Sequence, residues 1–461
     1  MTTRGKRTGT TAAGTTAVTP TGTTATGTTA GTPTGKTTAG TTAGTPTGTV
    51  AGAPGPGGGG GSGGGRLPLL DVLRGVAILG TLMTNVWIFT GAGGEWGVLA
   101  AGAPSLLGGG SAGDVAEAVF RLVADGKFLS MLTILFGAGL AIQYRSAERR
   151  GEPWPGRYRW RALFLFAEGT LHFLLIFAWD VLMGYAVTAL FTAWLLTRST
   201  RARRRVMAWA LGLHLTLMGL LTAVLAYGDG DAGGGVPREI VDLYAHGGWA
   251  DLVAFRLQNA VVLRVEPALT FGLLLFLFLL GVRLMRAGAF GADATGRRIR
   301  ARMLRWGLGL GVPLNVACAL GGDAWFLMGR YGAAPLVAVG YVGLIGAVVD
   351  RVRRPGPVTL SLTSLGRTAL SGYVLQNLLC GVVAYGFGLG LAEKLGDGAG
   401  GGGGRGWEPW WGMGLWAAVS VLLLAGSTLW LRRFPAGPLE SVQRWALRPT
   451  EKRSTGRGGS S

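Results

Sequence analysis

The sequence predicts an all-α fold, a polytopic membrane helix bundle of about ten spans with both termini cytoplasmic. Three observations carry that expectation. Charged residues make up only 14% of the 461, well below the ~25% of an ordinary soluble domain. Apolar runs long enough to cross ~30 Å of hydrocarbon recur from Leu69 onward. Lysine and arginine crowd into alternate loops between those runs, as the positive-inside rule requires.

Residues 1–65 are almost entirely Thr, Gly, Ala and Pro, with no aromatic residue and no carboxylate. A chain of that composition buries too little apolar surface to offset its ordering entropy, so a disordered cytoplasmic tail is expected. No apolar segment follows the basic start, which excludes a cleavable signal peptide. The string from Ala30 to Thr37, with Gly35 and Lys36, formally resembles a phosphate-binding loop. Such a loop needs a strand before it and a helix after it, and a Thr/Gly repeat lies on both sides here. It is read as a chance match.

The bundle is assigned to residues 66–448, with spans near 69–90, 127–144, 162–178, 181–197, 206–227, 267–286, 304–321, 326–349, 368–391 and 411–431. Basic clusters fall at Arg145–Arg161, Arg198–Arg205, Arg297–Arg305, Arg351–Arg354 and Arg432–Arg433, whereas loop 91–113 has no basic residue. That alternation places both termini in the cytoplasm of a multi-pass plasma-membrane protein. The loop 228–266 carries Trp249, Leu252, Val253 and Leu257 at helical spacing, which predicts an amphipathic helix on the outer surface. The loop 392–409, with Gly400–Gly404, reads as a flexible connector, and 449–461 as a short disordered cytoplasmic tail.

The net charge of +20 is therefore a matter of topology. No soluble domain offers a basic face with interleaved aromatics, so a nucleic-acid partner is excluded. The expected partners are the lipid bilayer and an unidentified small molecule. Two cysteines, Cys318 and Cys380, both in apolar runs, and three histidines rule out a disulfide framework and a Cys- or His-rich metal centre.

Ionisable groups inside hydrocarbon are costly, so each one marks a candidate site. Asp71, Arg74 and Asn85 share one stripe of the first span. They read either as an ion pair at the cytoplasmic boundary beside a bridging Asn85, or as a polar seam where Arg74 meets an anionic ligand. Glu168 and His172 lie one turn apart on the third span, with Asp180 at its outer end. An acid four residues from an imidazole can fix its tautomer or share its proton; the bland alternative is an interhelical hydrogen-bond cluster. His214 reads as structural, His246 as a surface residue, and Glu266, before Pro267, as a carboxylate at a helix start. Arg330 faces the interior or snorkels outward, and Gln376 and Asn377 bridge helices.

Several strings together resemble one family. Arg66-Leu-Pro-Leu-Leu-Asp71-Val-Leu-Arg74-Gly75, with Asn85, is similar to the start of the YeiB-like family of bacterial membrane proteins, a domain of unknown function. Lys127-Phe128 with Leu135-Phe136-Gly137-Ala138-Gly139 resembles its second-span motif. Gly169-Thr-Leu-His172, Trp179-Asp180 and Tyr185-Ala186 resemble its third and fourth. Leu365-Gly366-Arg367-Thr368-Ala369-Leu370-Ser371 and Gly437-Pro438-Leu439-Glu440 are similar near the C-terminus. The resemblance runs from about 66 to 448. Its first-span pattern is in turn similar to transmembrane acyltransferases of the heparan-glucosaminide N-acetyltransferase type. There a histidine soon follows the asparagine matched by Asn85; in this chain the first histidine is His172.

Two functions follow as expectations. In an acyltransferase, acyl-CoA would be the cytoplasmic donor. His172, oriented by Glu168, would be the base, Arg74 with Asp71 and Asn85 would serve the donor side, and Asp180 would line the acceptor's outer mouth. In a proton-coupled transporter or exporter of a small solute, Glu168, His172 and Asp180 would relay a proton.

Overall fold

Helix follows every one of the apolar runs. A computed structural model describes residues 67–91, 93–100, 111–228, 235–395 and 408–447, all belonging to one unit, Gly64–Ser461. The helices over the ten runs are α1 (Pro68–Thr90), α2 (Lys127–Arg149), α3 (Tyr158–Leu175), α4 (Leu182–Leu196) and α5 (Thr200–Tyr227), then α6 (Phe271–Arg286), α7 (Ala294–Leu320), α8 (Ala334–Arg351), α9 (Ala369–Ala384) and α10 (Glu408–Arg433). Among the described residues there is no strand. The expected disordered tails, the loop-like string at Ala30–Thr37 and the Gly400–Gly404 connector lie outside the described residues.

Among the described residues five segments are long and apolar enough to cross a membrane: α1, α5, α7, the run Asp323–Arg351 that ends in α8, and Pro409–Arg433 of α10. α4 and α9 are apolar but shorter, at 15 and 16 residues. At ~1.5 Å per residue, fifteen residues reach only ~22 Å, so neither is a full span by length alone. In both cases the reason is a break in the helix. α3 stops at Leu175 and a turn through Asp180 precedes α4. A separate helix, Pro357–Arg367, runs directly into α9 with only Thr368 between them.

Small residues set the packing, as expected where lipid tails offer no competing hydrophobic drive. A Cβ on Gly137 of α2 would strike the backbone of Phe278 in α6, and one on Gly281 would strike Ile134 and Ala138 in return. Gly307 of α7 meets Gly340 of α8 in the same way, and Gly75 of α1 meets the backbone of Leu362. The glycine-rich strings are thus contact points between helix backbones.

Side-chain contacts gather the loops at two ends. At one end Arg300 binds the carbonyls of Ala289 and Gly291 and the carboxylate of Asp350, Arg286 lies over Tyr144, and Arg157 reaches the carbonyl of Leu447. This is the arginine-rich end. At the other, Glu95, Tyr244, Arg256 and the turn after α3 meet, and Trp249 donates to the carbonyl of Leu175. The helix expected around Trp249 is present as Trp249–Gln258. Its inward residues are Leu252 and Arg256, each 1% exposed.

Candidate functional site

α3 delivers His172 near its last turn, and the break before α4 lets the chain double back so that Asp180 faces it. The imidazole Nδ1 lies 2.9 Å from Asp180 Oδ1, and both side chains are almost wholly buried. The other carboxylate oxygen accepts the backbone N–H groups of Leu182, at 3.0 Å, and Met183, at 3.3 Å. Asp180 therefore caps α4 as well. Arg264 donates to the Asp180 carbonyl at 2.7 Å and sets its guanidinium 3.9 Å from the carboxylate. Gly169 makes this geometry attainable, because a Cβ there would collide with Asp180 and the Met183 nitrogen.

An ionised carboxylate only accepts, so the pairing assigns the imidazole proton to Nδ1 and leaves a lone pair on Nε2. Nε2 faces the amide nitrogen of Asn377 at 3.4 Å. The Asn377 oxygen accepts from Asn85 at 3.3 Å. Tyr373 packs edge-on against the imidazole, 5.2 Å between centroids, and the neighbouring Gln376 donates to Thr81. α1, α3 and α9 thus converge on one polar chain, Asp180–His172–Asn377–Asn85.

That chain revises two expectations. His172 is oriented by Asp180 across the turn, not by Glu168 along the helix. Both oxygens of Glu168 are buried without a hydrogen-bond partner among the described residues, and its charged neighbours are Asp180 and Glu440. Asp180, at 1% exposure, is a buried support and lines no mouth. Of the two readings of the first span, the ion pair beside a bridging Asn85 matches: Asp71 and Arg74 pair with each other at 3.2 Å, and Asn85 bonds to Asn377 of α9.

Asn85 and Tyr373 form part of the wall of a cavity of about 480 Å³, which also takes in Trp179, Glu266, Arg330 and Tyr331. His172 and Arg74 are not among its lining residues. Arg330 and Tyr331 reach it from a π-helical turn, Gly329–Ala333, at the entry to α8. A π-turn disrupts the ordinary helical pairing, and such turns concentrate at functional sites. Two side chains steady this one: Asn315 donates to the Gly329 carbonyl at 3.1 Å, and His214 Nε2 lies 3.1 Å from the Tyr331 carbonyl. Tyr331 then donates its hydroxyl to the Glu266 carboxylate, and Arg330 Nε lies 3.1 Å from the same hydroxyl.

Sequence reasoning missed two further contributors. Glu95, fully buried, binds Arg256 through two nitrogens at 2.8 and 3.0 Å, and Arg256 also caps the carbonyls of Leu174 and Ile176. This buried pair pins the turn that carries Asp180. Its one signal was Arg256 lying among Leu252, Phe255 and Leu257. Glu440, noted only as part of a string, accepts the N–H groups of Leu370 and Ser371 at the start of α9. The two C-terminal strings are one contact, closing the break at Thr368 with an acceptor that hydrocarbon could not supply.

Residues 284–449 match the model of the family described as "Protein of unknown function (DUF418)". Over 398 residues the chain is 25% identical to "Uncharacterized protein YxaH" of Bacillus subtilis (strain 168), spanning 83% of this chain and 94% of that protein. It is 28% identical over 416 residues to "Uncharacterized protein YeiB" of Escherichia coli (strain K12), spanning 84% and 96%. The family-model match contains Arg330, Tyr331, Asn377 and Glu440; His172 and Asp180 fall only within the longer alignments' reach.

Proposed function

We propose that the chain, similar over most of its length to YxaH and YeiB, is a membrane acyltransferase whose base is His172. The observation that carries this reading is the orientation of the imidazole. Asp180 holds the proton on Nδ1, and the free Nε2 looks through Asn377 and Asn85 toward the cavity. The 3.4 Å contact to Asn377 is long and weak, so an acceptor entering past Asn85 can replace it.

In the proposed step, the acceptor's O–H or N–H proton passes to Nε2 as its oxygen or nitrogen bonds to the acyl carbon. The thioester C–S bond breaks, and the proton leaves His172 for the departing sulfur. Acyl-CoA supplies only the activated acyl group; the proton steps belong to His172, and Asp180 stabilises the imidazolium that forms between them. Arg74, engaged with Asp71, suits the donor's phosphates less well than a wide groove at the arginine-rich end. That groove, about 810 Å³, carries Arg157, Arg161 and Trp154, and extends along α3 to Ala167, next to Glu168. Guanidinium groups beside an aromatic platform fit phosphates and a base ring.

The positive-inside bias makes the arginine-rich end cytoplasmic and the cavity outer-facing, so donor and acceptor approach from opposite sides of a plasma-membrane protein. Cysteines placed at exposed Asp242 and Ala294 test that orientation: an impermeant thiol reagent on intact cells should label the first alone. Labelling of Ala294→Cys alone would reverse it.

A second reading, proton-coupled transport, draws on Glu168. Its carboxylate has no hydrogen-bond partner among the described residues and lies within electrostatic reach of both Glu440 and Asp180. One experiment separates the two. Vesicles containing the protein are given acetyl- or palmitoyl-CoA labelled in the acyl group, together with bacterial lipid extract. Protein-dependent transfer of label into a non-CoA product supports the enzyme. No label transfer above vesicles lacking the protein overturns it.

A further inference from the structure

Among the described residues lining the 480 Å³ cavity, the charged groups are Glu266, Asp323 and Arg330. Two carboxylates thus stand against one guanidinium. The guanidinium is partly neutralised already, with Asp125 at 3.9 Å on one side and the Tyr331–Glu266 contact on the other. With Asp125 supplying Arg330 a counter-ion from outside the wall, the wall itself carries a net negative charge and favours a ligand cation over a ligand anion. Trp179, Phe326 and Tyr373 add aromatic faces to the same wall, and such faces attract an ammonium group by their quadrupoles.

The remaining wall is of the opposite character. α5 contributes only Met218, Leu221 and Leu225, and the short helix Gly94–Ala100 contributes only Val98 and Leu99. Leu225, Leu99 and Val98 are 45%, 42% and 38% exposed, so the apolar limb continues outward past the cavity instead of closing over it. A polar, net-acidic pole joined to an open aliphatic limb matches a molecule with a cationic head and an alkyl chain.

We propose that this cavity binds a single-chain amphiphile whose head is an ammonium group, held by the Glu266 carboxylate and the aromatic faces of Trp179 and Tyr373, with its chain along Leu221 and Leu225. This rests on the acyl-transfer reading only in that a primary amine of this kind would be its acceptor; the binding site itself stands without it.

The test uses the full chain in a non-ionic amphipol, with octyltrimethylammonium as a probe that no acyl group can modify. Saturable binding is measured by calorimetry against octyl sulfate and tetramethylammonium. Octyltrimethylammonium should bind at least about tenfold more tightly than either. Glu266→Gln keeps an acceptor for Tyr331 and should weaken the cationic probe about tenfold. Leu221→Trp fills the aliphatic limb and should weaken the octyl probe while leaving the fold's thermal transition in place. Equal binding of octyl sulfate, equal binding of tetramethylammonium, or an unchanged affinity in Glu266→Gln would each overturn the proposal. His172→Gln should bind the probe as the native protein does, so a failure of acyl transfer and a failure of this site are separate results.

Discussion

His172 and His214 are equally hidden, each 2% exposed, and each sits on an apolar helix, yet their ring nitrogens meet opposite chemistry. His172 has a carboxylate at Nδ1 and a weak amide contact at Nε2. His214 has a backbone carbonyl at Nε2, while its Nδ1 has no hydrogen-bond partner among the described residues. The first arrangement fixes a tautomer, leaves a basic lone pair aimed at a cavity wall and stabilises the charge that protonation would bring. The second uses the imidazole as an N–H donor to hold a π-turn, with no acid near enough to pair with a second proton. Burial and residue type are the same in both; the group behind the ring decides which one can do acid–base work.

The largest effect should fall on the first histidine. His172→Gln keeps a hydrogen bond to Asp180 but cannot accept a proton, so label transfer should drop by roughly 10²–10⁴-fold. The thermal transition should stay near that of the native protein. A fully active His172→Gln protein would remove the base from the proposal and also the proton relay from its rival. A large loss of stability without loss of rate per folded molecule would make the two histidines alike, both structural.

His214→Leu should give the reverse pattern. It leaves the Tyr331 carbonyl buried without a donor, a cost of about 1–3 kcal/mol, read as a lowered thermal transition. The rate per folded molecule should change by less than about tenfold, because nothing on His214 reaches the His172 chain. Combining it with Asn315→Leu, which removes the side-chain donor to the Gly329 carbonyl and leaves that carbonyl only the Ala334 N–H, should show coupling beyond simple addition. Additive losses would mean that the π-turn does not act as one unit.

The helices were legible because hydrocarbon demands long apolar stretches, and the arginine-rich loops gather at one end as their alternation implies. The site was legible only as residues. Glu168 looked like the partner of His172 because four residues is one helical turn, but a chain that breaks after α3 can bring a residue eight positions on into contact, and Asp180 offers a helix-capping carboxylate. Spacing alone left Asn85 open, either a bridge to another helix or part of a seam with Arg74, and Asn377 on a distant helix is what decides for the bridge. The π-turn left no local mark in the string around Arg330. It exists because His214 and Asn315, far away in sequence, accept the task of pairing its carbonyls. Periodicity reports what one helix can do by itself, and each of these contacts is made between helices.

The smallest expected effect belongs to Glu168, and it discriminates best between the two functions. Its carboxylate touches no hydrogen-bond partner among the described residues and lies away from the cavity wall. Glu168→Gln preserves its volume and removes only its capacity to ionise. If His172 acts as a base on an acceptor arriving from the cavity, the proton it takes goes to the departing sulfur and Glu168 is not needed; label transfer should then change by less than about threefold. If His172 instead receives protons from the arginine-rich end, Glu168, within electrostatic reach of both Glu440 and Asp180, is the group proposed to pass them on. Glu168→Gln should in that case abolish any pH-gradient-driven uptake into proteoliposomes while binding of the amphiphile probe is unchanged. Retained transfer activity in Glu168→Gln therefore sharpens the contrast between His172 and His214, and loss of a proton-coupled flux in the same variant would move His172 from catalysis to transport.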